Sequence, residues 1–175
     1  MKKGFGSYQN KAVFLDRDGV INRERGEYTF KIEDFEIMPG VIEGLKKLKG
    51  FNYKLIIITN QAGISRGLYT REEMNSCHQF FNDQAQGIID AIYYCPWHPT
   101  KSRSIARKPE KLMFERAIHQ YEIDPSKSYM IGDKDRDLLP AKKLGITTCG
   151  ITNEFDYADI VVGNFEQFVE KILKS

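Results

Sequence analysis

The chain has 175 residues, 41% hydrophobic and 29% charged, with a net charge of +2 at pH 7, the profile of an ordinary folded protein rather than a disordered or fibrous one. That charge is too small, and its lysines and arginines too dispersed, to argue for nucleic acid; no apolar run approaches the roughly 20 residues of a membrane span, and no signal peptide is read at the start. Cys77, Cys95 and Cys149 are scattered without disulfide-framework spacing, which fits a reducing cytoplasm.

Residues 1–10 are polar and glycine-containing and read as a flexible tail, leaving residues 11–175 as a single domain without linker or internal repeat. Gly4-Phe5-Gly6 imitates the start of a dinucleotide-binding loop, but no strand precedes it and no third glycine follows. Residues 11–16 form the first predicted strand. Val41, Leu45 and Leu48 recur at helical spacing after Pro39-Gly40, and Gly50 closes that helix. Leu55-Ile56-Ile57-Ile58 is the unbroken β-branched run of a strand buried on both faces. Thr70-Arg71-Glu72-Glu73 has capping-box spacing and opens a helix to about residue 86. Residues 88–94 are a third strand, 111–121 a helix and 129–131 a fourth strand. A helix closed by Gly145 follows, then short strands at 146–149 and 160–162 and a last helix at 166–173. This βαβα order predicts an α/β fold of three layers, a mostly parallel Rossmann-like sheet with helices on both faces.

Ligands in such sheets bind beyond the carboxyl ends of the strands. The first strand ends in Asp16-Arg17-Asp18-Gly19, two carboxylates in a tight turn that glycine permits. Two anions so close call for a divalent cation between them. A carboxylate beside Mg²⁺ can attack phosphorus, and a second can shuttle the leaving group's proton. The second strand ends in Thr59-Asn60-Gln61, a hydroxyl and two amides suited to phosphate oxygens. After the third comes Arg107-Lys108-Pro109, cations for a developing phosphoryl charge. The fourth ends in Gly132-Asp133-Lys134, a further metal carboxylate. The spacing of Asp133, Asp135 and Asp137 imitates an EF-hand, but the sixth position is Leu138 and the twelfth Leu144. No P-loop motif is present.

On Asp16-Arg17-Asp18-Gly19-Val20, Thr59-Asn60-Gln61-Ala62-Gly63-Ile64-Ser65-Arg66-Gly67, Tyr93-Tyr94-Cys95-Pro96, Arg107-Lys108-Pro109 and Gly132-Asp133-Lys134, the chain resembles the haloacid dehalogenase (HAD) superfamily of phosphatases. Within it the chain resembles the branch acting on heptose bisphosphates and histidinol phosphate. The resemblance implies a HAD-like fold with Asp16 as nucleophile and Asp18 as general acid and base. Thr59 and Lys108 would hold the transferring phosphoryl group. Mg²⁺ would sit on Asp16, the backbone carbonyl of Asp18, and Asp133. Substrate would be oriented by Glu24, Arg25, Gly26, Glu27, Asn60, Gln61, Ala62, Arg107 and Lys134. Asp137 would support the loop rather than bind metal, and Arg66 is read either as a grip for a distal phosphate or as an ordinary solvated arginine.

Many such relatives carry a cap domain. Here the stretch between Asp16 and Leu55 holds one helix and an extended segment at 34–38, so the site is expected to be capless and open. The branch also carries a structural Zn²⁺ on Cys-x-His and Cys-x-Cys. Here Trp97 follows Cys95 at the next ligand position and Ser104-Ile105-Ala106 replaces the second pair, so no structural zinc is expected, with Trp97 and Ile105 packing the loop instead. His78 and His119 read as packing or surface residues, and Phe80 and Phe81 as core. The expected function is a cytoplasmic, monomeric, Mg²⁺-dependent phosphosugar phosphatase, heptose bisphosphate first and histidinol phosphate second. A catalytically silent phosphosugar binder is the alternative from another class.

Overall fold

The computed structural model describes residues 8–152 and 155–174. Gly4-Phe5-Gly6 and the rest of residues 1–7 lie outside the described residues. Asn10, the last residue of the segment read as a tail, is fastened. Its N–H donates to the Glu122 carbonyl at 3.2 Å, its carbonyl accepts from the Asp124 N–H at 2.8 Å, and its Nδ2 donates to the Tyr121 carbonyl at 2.7 Å.

The described residues form one parallel sheet of six strands: β1 (Lys11–Leu15), β2 (Tyr53–Asn60), β3 (Ala91–Cys95), β4 (Tyr129–Gly132), β5 (Thr147–Ile151) and β6 (Ile160–Val162). Their order is β3-β2-β1-β4-β5-β6, with Val13 of β1 level with Leu55 on one side and Tyr129 on the other. The winding reverses between β1 and β4, so the loops that leave these two strands part there and open a crevice. The helices are α1 (Val41–Gly50), α2 (Arg71–Gln84), α3 (Leu112–Gln120), α4 (Asp135–Lys143) and α5 (Phe165–Leu173).

Alternate strand residues feed two cores, as a sheet buried on both faces requires. Val13, Leu15, Leu55, Ile57 and Ile131 pack with Leu45 and Leu48 of α1, Cys77 and Phe81 of α2, and Phe165 and Phe168 of α5. Ala12, Phe14, Ile56, Ile58 and Met130 face the other way, onto Phe114 and Ile118 of α3 and Leu138 and Ala141 of α4. Phe81 is thus core as expected, and Phe80 packs edge-on against Phe35.

The Thr70 capping box forms: its hydroxyl accepts the Glu73 N–H at 3.1 Å and the Glu73 carboxylate accepts the Thr70 N–H at 2.7 Å. Two elements differ from expectation. The third strand begins at Ala91 because Gln86 and Gly87 take positive φ after α2, and Asp90 is tied to the Leu55 N–H at 2.9 Å before pairing begins. The segment at 34–38 is not extended throughout: Ile32–Asp34 is a 3-10 turn, and Ile37 alone bridges back to Asn22. No helix among the described residues is long and apolar enough to cross a membrane.

Candidate active site

Asp16 stands immediately after β1, and its N–H donates to the Ile131 carbonyl of β4 at 3.1 Å, so both central strands fix its backbone. Lys108 reaches it from the loop after β3. The ammonium donates to Asp16 Oδ1 at 2.7 Å and to the Ile58 carbonyl at 2.7 Å, and it pairs with Asp137 Oδ1 at 2.8 Å. Lys108 is 1% exposed, Asp16 5% and Asp137 0%. The Asn60 amide anchors the Lys108 backbone, accepting its N–H and donating to its carbonyl, each at 3.1 Å. Burial, then the Asp137 charge, pushes the Asp16 carboxyl up to about 6, against the lowering pull of Lys108. Burial also works against the charged Lys108, but its two carboxylate neighbours outweigh that and hold its pKa above the usual range. Removing one member of such a buried set would leave an uncompensated charge, so the three side chains hold one geometry.

Asp18 occupies the turn. Arg17 grips it with Nε on Oδ2 at 3.1 Å and Nη2 on Oδ1 at 3.0 Å, while Asn22 donates to Oδ1 at 3.0 Å and Gln61 to Oδ2 at 3.3 Å. Burial would raise its pKa, but the Arg17 charge and these donors prevail and hold it below the ordinary value. Arg17 is itself buried and donates to the Thr29 carbonyl at 2.7 Å. His78 Nε2 lies 3.5 Å from Arg17 Nη1, and burial together with that guanidinium pushes the imidazole down to about 3. His78 therefore packs as a neutral ring beneath the turn, within reach of the residue that orients Asp18. Gly19 has a φ of 88°, and a Cβ there would run into the Asp133 carboxylate. Only glycine allows both the turn and that approach.

Asp133 follows β4. Oxygens of Asp16, Asp133 and Asp137 lie within 4.8 Å of one another. Among the described residues Asp133 Oδ1 is buried with no hydrogen-bond partner. Burial, then the Asp16 charge, raises the Asp133 pKa. A hard divalent cation fits this oxygen set. Asp16 and Asp133 were expected as ligands, and the third carboxylate brought to them is that of Asp137, which Lys108 also engages; the Asp18 side chain is turned away onto Arg17.

An open cleft of about 590 Å³ leads to Asp18, lined by the expected Glu24, Gly26, Glu27, Asn60, Gln61 and Lys134, together with Tyr28, Arg66 and Arg136. Lys134 bridges Glu24 at 2.8 Å and Asp133 at 3.2 Å. Thr59, 1% exposed, accepts from Gln61 Nε2 at 2.9 Å. Arg25 is held on Asp34 at 2.8 Å and Ala62 is buried, so neither lines the cleft. Arg107 donates to the Trp97 carbonyl at 3.1 Å and borders a neighbouring hollow of about 340 Å³. Arg136 was missed in the sequence; a lone cation inside the acidic run that opens α4 was the available signal. Arg66 leans over Tyr28, its Nη1 3.3 Å from the hydroxyl.

Cys95, the last residue of β3, is buried, and in the loop that follows His98 Nδ1 lies 2.7 Å from Thr100 Oγ1. Trp97 is 44% and Ile105 68% exposed, so these two do not pack the loop as expected. Instead the Ser65 hydroxyl accepts the His98 N–H at 2.8 Å, and Ser65 N–H donates to the Pro96 carbonyl at 3.1 Å. His119, at the end of α3, has Nδ1 3.0 Å from the Tyr8 hydroxyl, far from the cleft.

A family model described as HAD-hydrolase-like matches residues 105–163. The chain is 41% identical over 147 residues to the D-glycero-beta-D-manno-heptose-1,7-bisphosphate 7-phosphatase of Haemophilus ducreyi, covering 79% of this chain and 80% of that protein. It is 40% identical over 148 residues to the D-glycero-alpha-D-manno-heptose-1,7-bisphosphate 7-phosphatase of Photorhabdus laumondii, with 79% and 80% covered. Among solved structures, the D,D-heptose 1,7-bisphosphate phosphatase of B. bronchiseptica, complexed with magnesium and phosphate, superimposes with a TM-score of 0.86 at 24% identity, over 94% of this chain and 98% of that one.

Proposed function

The chain belongs to the heptose-1,7-bisphosphate 7-phosphatase family of HAD-like hydrolases, and we propose that it removes the 7-phosphate of D-glycero-D-manno-heptose 1,7-bisphosphate, leaving the 1-phosphate. The observation that carries this reading is the buried Asp16, held by Lys108 and close to Asp133, two residues before the Asp18 that lines the cleft. Asp16 oxygen attacks phosphorus and the P–O ester bond breaks; Asp18, a carboxylate in the Arg17 fork, takes up a proton from solvent as it turns from that fork to the bound ester, and passes it to the departing sugar oxygen. Asp18, now a carboxylate, takes a proton from the water that attacks the aspartyl-phosphate. The acyl phosphate P–O bond breaks, phosphate leaves, and Asp18 is protonated for the next turnover. Lys108, by giving up one of the three acceptors it now holds, and the Thr59 hydroxyl would take the phosphoryl oxygens, in keeping with a reaction that is mostly positioning and charge stabilisation.

Asp16 and Asp133, with the backbone carbonyl of Asp18, are the groups that would hold Mg²⁺; Asp137 braces Lys108. The orphaned Asp133 oxygen and the cluster of hard donors support that fit. When bound, Mg²⁺ supplies positive charge to the phosphoryl oxygens. Arg66 and Arg136 at the cleft wall suit the second phosphate of a bisphosphate, and Glu24 and Glu27 suit sugar hydroxyls. The reading places the enzyme in the cytoplasm as a monomer; three free and buried cysteines support the compartment.

Phosphate release with Mg²⁺ from both anomers of the heptose bisphosphate, histidinol phosphate and a set of sugar monophosphates tests the reading. The expected result is a kcat/KM preference of about a hundredfold for the bisphosphate. A preference for histidinol phosphate would move the chain to that substrate. No release from any ester would make it a binder.

A further inference from the structure

Behind the two groups that act on phosphate lies a buried chain of polar side chains that the mechanism does not use. Gln61 is 1% exposed and Tyr69 4%. The Tyr69 hydroxyl donates to Gln61 Oε1 at 2.7 Å, and Gln61 Nε2 donates both to Thr59 Oγ1 at 2.9 Å and to Asp18 Oδ2 at 3.3 Å. The Tyr69 ring is fixed in turn: it stacks on Phe30 with centroids 5.0 Å apart and planes 6° from parallel. On its other side the ring closes over Gly63, where a Cβ would collide with it.

The direction of the Gln61 amide matters chemically. With Nε2 toward the site, Asp18 receives a donor, and Thr59 uses a lone pair, which leaves its hydroxyl hydrogen free for a phosphoryl oxygen. With the amide reversed, its carbonyl would face the Asp18 carboxylate and take the Thr59 hydrogen for itself. The Asp18 carboxylate, which can only accept, selects the first arrangement, and the Tyr69 hydroxyl holds it by donating to Oε1; burial raises the Tyr69 pKa, so that proton is kept.

We propose that Tyr69 is a positioning residue of this phosphatase: its hydroxyl locks the Gln61 amide so that one N–H₂ group aligns both the general acid Asp18 and the phosphoryl-binding Thr59. Gln61 is then an internal brace more than a substrate contact. This inference rests on the phosphatase reading, and its test has one arm that does not.

Tyr69→Phe keeps the ring and removes the hydroxyl. The expected result is a fall in kcat of about tenfold with KM within about twofold. Gln61→Ala should cost more, about a hundredfold. Tyr69→Phe added to Gln61→Ala should cost nothing further, because the hydroxyl acts only through the amide. An unchanged kcat in Tyr69→Phe, a rise in KM alone, or the same tenfold loss repeated in the Gln61→Ala background would overturn the proposal. In ¹⁵N-labelled protein the Gln61 side-chain N–H₂ pair, assigned by its disappearance in Gln61→Glu, should shift and exchange faster in Tyr69→Phe. An unmoved pair would sink the proposal even if the enzyme proved to act on no phosphate ester, an outcome that would count against the function and not against the brace.

Discussion

The ends of β1 and β4 and the loop after β3 supply opposite halves of the site and are built in opposite ways. Around the strand ends the side chains of Asp16, of Lys108 reaching in from the loop and of Asp137 from α4 are almost wholly buried, bonded to one another and to the sheet backbone. In the loop, Trp97 and Ile105 stand in solvent and Arg107 hangs on one carbonyl of the same loop. A reacting group must be held to a fraction of an ångström, and a rigid sheet does that. Recognition of a substrate's outer parts falls to loops, where a change of residue costs little stability. The loop carries Trp97 and Ser104-Ile105-Ala106 at positions read for zinc ligands, while Asp16, Lys108 and Asp133 are held together at the strand ends. Lys108 joins the two: its backbone belongs to the loop, its ammonium to the core, and Asn60 fastens the junction.

Substitutions should separate the two regions by size of effect. Asp16→Asn is expected to reduce phosphate release by about four orders of magnitude or more, since no neighbouring group replaces the nucleophile. Lys108→Met should lower kcat by about a hundredfold to a thousandfold. In chemical denaturation it should also cost about 3 kcal/mol, because Asp16 and Asp137 are left buried face to face. Arg136→Ala, at the cleft wall, should raise KM for the bisphosphate by about tenfold and leave a sugar monophosphate unaffected; equal effects on both would break the division between chemistry and recognition. Ile105→Ser in the exposed loop should change stability by no more than about 0.5 kcal/mol. A zinc chelator should leave the unfolding temperature where it was; a fall of several degrees would mean that Cys95 and His98 hold a metal after all.

The strand ends were legible in sequence because Asp16, Thr59 and Asp133 each follow an apolar run, and a doubly wound sheet carries such positions to one edge, where Lys108 joins them from the loop after β3. Chain order was enough to bring Asp16, Thr59, Lys108 and Asp133 together. The brace of Tyr69 on Gln61 was not legible, since nothing local says that the loop folds its ring back over Gly63. The same limit hid the Arg17 fork on Asp18, since nothing local says that an arginine between two aspartates is buried against Thr29 and His78. Ile105 failed in the other direction: its apolar character suggested packing, yet hydrogen bonds through Ser65 hold the neighbouring chain without it.

The account turns on Asp16 as the atom donor to phosphorus. The most direct measurement is a rapid acid quench of the wild-type enzyme turning over a ³²P-labelled substrate with Mg²⁺, followed by peptide mapping. The account predicts a hydroxylamine-labile phosphate on the peptide that carries Asp16, absent from Asp16→Asn. Turnover without labelled protein, or a label on any other residue, would contradict it.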